Sequence, residues 1–129
     1  MLRLASSLRG QEIFSEVHCG FLQQAPLLGD VLSQLHTQEL IVVPMLSGFG
    51  YITEVLIPQA LSQVGSQTRV HLCDPIGIHA KIPEIMAKRA SSIIKEYVLE
   101  PAQVSILIAA HGNTKNTRNA DQTNALADS

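Results

Sequence analysis

Val104-Ser105-Ile106-Leu107-Ile108-Ala109-Ala110-His111-Gly112-Asn113-Thr114 is the stretch on which the fold turns. A continuous apolar run leads straight into His-Gly and then into a polar loop, the pattern of a buried parallel strand that ends on a reactive side chain. In an open α/β sheet, ligands bind in the crevice past the carboxyl ends of parallel strands, where a histidine on a rigid support can act on them. Only a short helix, predicted over Asn116 to Ser129, follows. A parallel strand this late in the chain must insert beside strands formed earlier or beside a partner's strands, so its placement sets fold and function together.

Upstream, the periodicities alternate. Met1, Leu4, Ala5 and Leu8 fall at i, i+3, i+4 and i+7, one helix face, with Gly10 as the stop. Ile13 to Phe21 reads as a strand. Pro26 suits a helix first turn, and Leu28, Val31, Leu32 and Leu35 repeat the helical spacing up to His36. Leu40 to Leu46 is short, apolar and β-branched, a strand buried on both faces and regular only before Pro44. Tyr51 to Val64 is predicted helical, kinked or split at Pro58. Arg69 to Cys73 has strand character. Ile82, Ile85, Met86, Ala90, Ile93, Ile94 and Tyr97 mark the clearest amphipathic helix. This α-β-α-β-α-β-α-β-α order predicts an α/β three-layer sandwich with a mostly parallel four-stranded sheet.

Composition bounds the function. The 129 residues fit one domain of about 100–200 residues. Charged residues make up only 16% and hydrophobic residues 46%, which leaves little surface marked for water and favours a buried interface such as a homodimer. A net charge of -2 gives no electrostatic case for nucleic acid or an acidic membrane. No stretch approaches the roughly 20 apolar residues of a membrane span, and the first apolar run is too short for a signal peptide. These features predict a soluble, cytoplasmic protein. Cys19 and Cys73 lie far apart without a C-x-x-C and are expected as small buried hydrophobes in a reducing compartment.

Three loops follow the late strands and are expected on one rim: Ser47-Gly48-Phe49-Gly50, Asp74-Pro75-Ile76-Gly77-Ile78-His79, and His111 to Thr114. His111 is the leading candidate, since a neutral imidazole can bind a divalent metal or accept a proton. Its other reading is a histidine capping the next helix. His79 stands at the start of the long helix, where exposed N–H groups favour a carboxylate, or it is an N-terminal histidine of no special role. Ser47, Gly48, Gly50 and Tyr51 either line a cleft or form a turn with an aromatic core plug. Lys81, Lys115 and Arg118 either neutralise ligand carboxylates or are solvated charges. His18, His36 and His71 are expected in surface or packing roles. Neither G-x-x-x-x-G-K-[ST] nor G-x-G-x-x-G occurs, and no G-x-S-x-G elbow is present, so nucleotide binding and serine hydrolysis lack support.

Val42-Val43-Pro44-Met45-Leu46-Ser47-Gly48-Phe49-Gly50-Tyr51, closing on Ile57-Pro58, resembles the central motif of the CbiX-type sirohydrochlorin cobaltochelatases. Gly20-Phe21-Leu22 with Pro26 and Leu28 resembles their strand-two block, Asp74 to His79 their Pro-x-Gly-x-His segment, and His111 to Thr114 their His-Gly-Ser/Thr loop. The resemblance implies a class II chelatase fold and a lyase that inserts a divalent metal into a tetrapyrrole in cobalamin or siroheme (porphyrin-type) biosynthesis. Cobalt is the first expectation, iron or nickel the second. It implies His111 as metal ligand and catalytic group, with Ser47, Gly48, Gly50, Tyr51, Gly77 and His79 against the macrocycle. The family's second histidine falls here on Ile52, and an acidic residue of its strand-two block falls on Gln23. A non-catalytic tetrapyrrole- or metal-binding partner subunit is therefore the alternative, and a flavodoxin-like binding module a third reading. The family also places its His-Gly strand first, whereas here that block comes last. Residues 104–129 are thus expected either to fill the first-strand position, in this chain or swapped with a partner, or to begin a second repeat.

Overall fold

The computed structural model describes residues 2–109, 121 and 123–125. They group into two compact units, one drawn from 1–41 and 56–71, the other from 42–55 and 72–129.

The first unit opens with α1 (Leu2–Arg9). Leu4, Ala5 and Leu8 hold the expected spacing, and Ala5 is buried while Leu4 is half-exposed. Arg9 stands in the last turn, where a cation complements the helix dipole, and Gly10 N–H closes on Ser6 C=O at 3.0 Å. Helix α2 (Leu28–Gln34) packs against α3 (Ile57–Leu61), and Leu32, Ile57 and Leu61 are the buried side chains at their centre. Gly20 sits tight against the start of α2: a Cβ there would lie 2.9 Å from Leu28 Cα.

Strands β1 (Glu39–Val42) and β2 (Arg69–Leu72) pair side by side. Arg69 N–H donates to Gln38 C=O at 2.7 Å and Cys73 N–H to Val42 C=O at 2.9 Å, an equal step along both chains and so a parallel register. Across the pair Glu39 accepts from Arg69 at 3.0 Å and faces His71 Nε2 at 2.7 Å. As expected, β1 is regular only before Pro44.

A π-helical turn (Ile52–Leu56), whose residues up to Val55 belong to the second unit, runs on along the chain into α3. Pro58 lacks the N–H that an α-helix would bond to Glu54 C=O, so the split expected at this proline takes the form of a change in helix type one residue before it. Helix α4 (Ile82–Glu96) carries Glu84 in its first turn and Lys95 in its last, with a Glu84–Lys88 pair at 2.6 Å. Its half-buried stripe is Ile82, Met86, Ala90 and Ile94. Ile85, Ile93 and Tyr97, expected on the same face, are exposed. Asp121 and residues 123–125 are helical, as expected within Asn116 to Ser129.

Further expectations are corrected. The sheet among the described residues has two strands, not four. Ile13 to Phe21 is not a strand: its one β contact is an isolated bridge at its end, where Phe21 N–H donates to Pro26 C=O at 2.9 Å and Leu28 N–H donates to Phe21 C=O at 2.7 Å, and Val17 C=O is taken by the Arg9 guanidinium. Residues 104–109 of the expected last strand are not in a ladder either. Val104 N–H closes a 3₁₀ turn (Pro101–Gln103) on Pro101 C=O, and Ile106 and Leu107 are 66% and 89% exposed. Cys73 is exposed rather than buried, and Cys19 is half-buried. No described helix is long and apolar enough to cross a membrane.

Candidate functional site

Of the three loops expected on one rim, two belong to the second unit and are joined by their main chains; the third, His111 to Thr114, lies outside the described residues, as do Lys115 and Arg118. The joining lies past the end of the ladder, where a 3₁₀ turn (Ile76–Ile78) donates to the segment that leaves β1. Beyond the strands, Ile76 N–H donates to Pro44 C=O at 3.0 Å and Gly77 N–H to Leu46 C=O at 2.9 Å. Pro44 and Pro75, one at each strand exit, are buried. At Gly77 the approach is so close that an added Cβ would overlap the main chain of Ser47. Glycine is therefore required here for contact, not for an unusual φ.

The Ser47 to Tyr51 loop is anchored at its far end by a side chain the sequence reading missed. Thr53 is 7% exposed. Its Oγ1 accepts from Gly50 N–H at 2.8 Å and donates to Gly50 C=O at 3.0 Å, while Glu54 N–H donates to the same carbonyl at 2.8 Å. One buried hydroxyl thus closes the loop onto the π turn. The bond runs back from the third residue of the turn to the N–H at its start, the returning half of a capping box made here by threonine in place of Glu or Gln. Ser47 is exposed, and Gly48, Phe49 and Gly50 are half-buried. Tyr51 is 66% exposed, which excludes the core-plug reading. Ile52, on the outer side of the π turn, is 39% exposed.

His79 is exposed and held by its neighbours. Its N–H donates to Ile76 C=O at 3.1 Å, and its C=O accepts from Ile82 N–H at 2.9 Å. Its ring Nδ1 accepts the Lys81 main-chain N–H at 3.1 Å. The pair of loops therefore presents an exposed serine, an exposed phenol, an imidazole and the exposed Lys81 beside half-buried glycines.

The other histidines do as expected. His18 pairs with Glu16 at 2.9 Å and His71 with Glu39 at 2.7 Å, both at the surface, and His36 is exposed. A shallow cleft of about 430 Å³ in the first unit is lined by Arg9, Phe14, Ser15, Glu16, Val17 and His18 and contains none of the candidate residues. Among the described residues, no three His, Cys, Asp or Glu side chains group to hold a metal.

Comparison with known proteins supplies the context for these loops. Residues 1–93 match the family described as CbiX. A probable sirohydrochlorin cobaltochelatase of Halobacterium salinarum is 26% identical over 138 aligned positions, covering 90% of this chain and 47% of the relative. The chain thus spans about half the length of that curated relative. Among solved structures, a multi-domain protein of Deinococcus radiodurans, described as structurally similar to chelatases with two additional novel domains, superposes with a TM-score of 0.67. It is 24% identical, and the match covers 98% of this chain and 31% of that one. The fold is chelatase-like.

Proposed function

We propose a function from one premise: the chain belongs to the CbiX family. It acts as a metal chelatase, a lyase that inserts a divalent cation, cobalt before iron or nickel, into a sirohydrochlorin-type tetrapyrrole for cobalamin or siroheme synthesis. The observation that carries this reading is the main-chain junction of Ser47 with Gly77, which builds one continuous surface from the two loops the family motifs occupy.

The chemistry asks little of the protein beyond positioning. Two pyrrole N–H protons leave, a dication takes their place, and charge balances. His111 holds the incoming metal through a neutral ring nitrogen or takes a departing proton, the two roles an imidazole can fill near neutral pH. Tyr51 and the glycines Gly48 and Gly50 lie against the macrocycle, where the absence of side chains permits close approach. Ser47 and His79 meet its peripheral carboxylates, and Gly77, by having no side chain, lets the two loops close on each other beside them. The protein works as a cytoplasmic homodimer, and residues 104–129 either complete this domain or begin a second repeat.

A specific observation favours a second reading. Ile52, not histidine, occupies the outer side of the π turn, so a second metal ligand is missing from the position where the family motif has one. On that reading the chain binds tetrapyrrole or metal without turning it over.

One assay separates the two. Cobalt insertion into sirohydrochlorin is followed by absorbance for the wild type, His111→Ala and Ile52→His. The catalytic reading expects wild-type insertion above the buffer rate and a loss on the order of 10²-fold or more in His111→Ala, the usual contribution of a positioned acid–base group. A wild type no faster than buffer, with activity gained in Ile52→His, establishes the binding role instead. Insertion unaffected by His111→Ala contradicts the assignment of that residue.

A further inference from the structure

We infer that the Lys81 main-chain N–H fixes the neutral imidazole of His79 in its Nε2–H form, which makes this ring a hydrogen-bond donor to a ligand carboxylate and bars it from the metal. The inference deepens the tetrapyrrole reading and rests on it for the identity of the ligand, but not for the tautomer.

The Lys81 main-chain N–H is a donor whose direction is not open to choice. A main-chain N–H can only donate, so the 3.1 Å contact from Lys81 N makes His79 Nδ1 an acceptor. In a neutral imidazole one nitrogen carries the proton and the other the lone pair, and a bond to one nitrogen decides the state of the other. With Nδ1 accepting, the proton sits on Nε2. That nitrogen has no partner among the described residues, and the side chain is exposed. His79 therefore presents one outward N–H.

The ring cannot readily exchange this state for the opposite one. Metal ligation through Nε2 needs the lone pair there and the proton on Nδ1, which would set two N–H groups facing each other at the Lys81 contact. Main-chain displacement is also resisted, since His79 N–H bonds Ile76 C=O and His79 C=O bonds Ile82 N–H. Two residues earlier, Gly77 is seated against Ser47 with no room for a side chain. The imidazole is consequently oriented by its own segment before any ligand arrives. A donor of this kind suits a carboxylate oxygen, which accepts only, and the exposed Lys81 adds a positive charge at the same turn.

The test has a spectroscopic arm and a binding arm, both on the whole chain. Side-chain ¹⁵N–¹H correlation spectra of the wild type at a pH where histidines are neutral are expected to show His79 protonated at Nε2; protonation at Nδ1 overturns the inference. In the binding arm the probe is uroporphyrin, an octacarboxylate macrocycle. His79→Gln places an amide N–H₂ near the position of Nε2, whereas His79→Asn places one near Nδ1. Binding within about threefold of wild type for His79→Gln, with at least about tenfold weakening for His79→Asn and His79→Ala, is the expected order, since a lost bond to a charged acceptor costs a factor of this size. Equal weakening in all three, or better retention by His79→Asn, contradicts it. In a parallel titration with Co²⁺ alone, His79→Ala is expected to bind as the wild type does, and a loss of cobalt affinity overturns the exclusion from the metal. A wild type that binds no uroporphyrin removes both the tetrapyrrole reading and the carboxylate role, while the spectrum still decides the tautomer.

Discussion

Gly77 and Thr53 carry out opposite tasks in the same pair of loops. Gly77 works by having no side chain, so that the turn after β2 can rest on the main chain of Ser47. Replacing it with alanine forces a methyl into backbone that has nowhere to yield, and overpacking of this kind costs about 1–3 kcal/mol. Gly77→Ala is therefore expected to lower the urea midpoint and to speed amide exchange at Gly77, whose N–H is bound to Leu46 C=O. Unchanged exchange at that amide would mean that the loops are not joined there. Thr53 works by having a hydroxyl in a buried position. Thr53→Val keeps the shape and removes the acceptor of the Gly50 N–H, and an unsatisfied buried donor costs about 1–3 kcal/mol. The expected readout is a lowered urea midpoint with faster exchange of the Gly50 amide. At this scale the sequence was partly legible. The glycine loops and His79 stood out by residue type. The spacing of Gly50 and Thr53 is compatible with a capping bond but does not fix it, and the acceptor role of His79 Nδ1 depends on where the Lys81 main-chain N–H points.

The elements were legible where periodicity and a local stop agreed. Helix α4 has both, with Pro83 and Glu84 in its first turn and a long apolar repeat. β1 ends where Pro44 removes a donor, and β2 follows a turn. Ile13 to Phe21 and Val104 to Ala110 have strand-like composition, but a strand needs a neighbour's backbone as well as its own side chains. Local bonds from Pro26, Leu28 and Arg9 engage the first, and a 3₁₀ turn precedes the exposed, described part of the second. The end of α4 carries a separate consequence. Leu99 N–H reaches Ile94 C=O at 2.9 Å and Val98 N–H reaches Lys95 C=O at 3.4 Å, the paired bonds of a Schellman motif. The residue in the left-handed position is Val98, with φ of 52°. A β-branched residue is strained there by about 1–2 kcal/mol, of which glycine's greater unfolded-state freedom offsets roughly half. Val98 is 90% exposed, so no packing is lost with its side chain. Val98→Gly is expected to raise stability by about 0.5–1 kcal/mol in a urea titration, and a lower midpoint would contradict the strained cap.

For the molecule as a whole, the family was legible because the matching motifs are loop motifs, and loops held on a rigid scaffold are where binding and catalytic residues concentrate. The sheet was less legible. Only β1 and β2 pair among the described residues, and Ile41 and Val43 remain 56% and 51% exposed. On the proposed function, the surface joined at Ser47 and Gly77 receives a carboxylated tetrapyrrole. Backbone amide spectra recorded while sirohydrochlorin is titrated into the ¹⁵N-labelled protein test it most directly. Saturable shift changes are expected at Ser47 to Tyr51 and at Gly77 to His79, reduced in Gly77→Ala. Saturable changes confined to other residues, or none at any concentration, would contradict it.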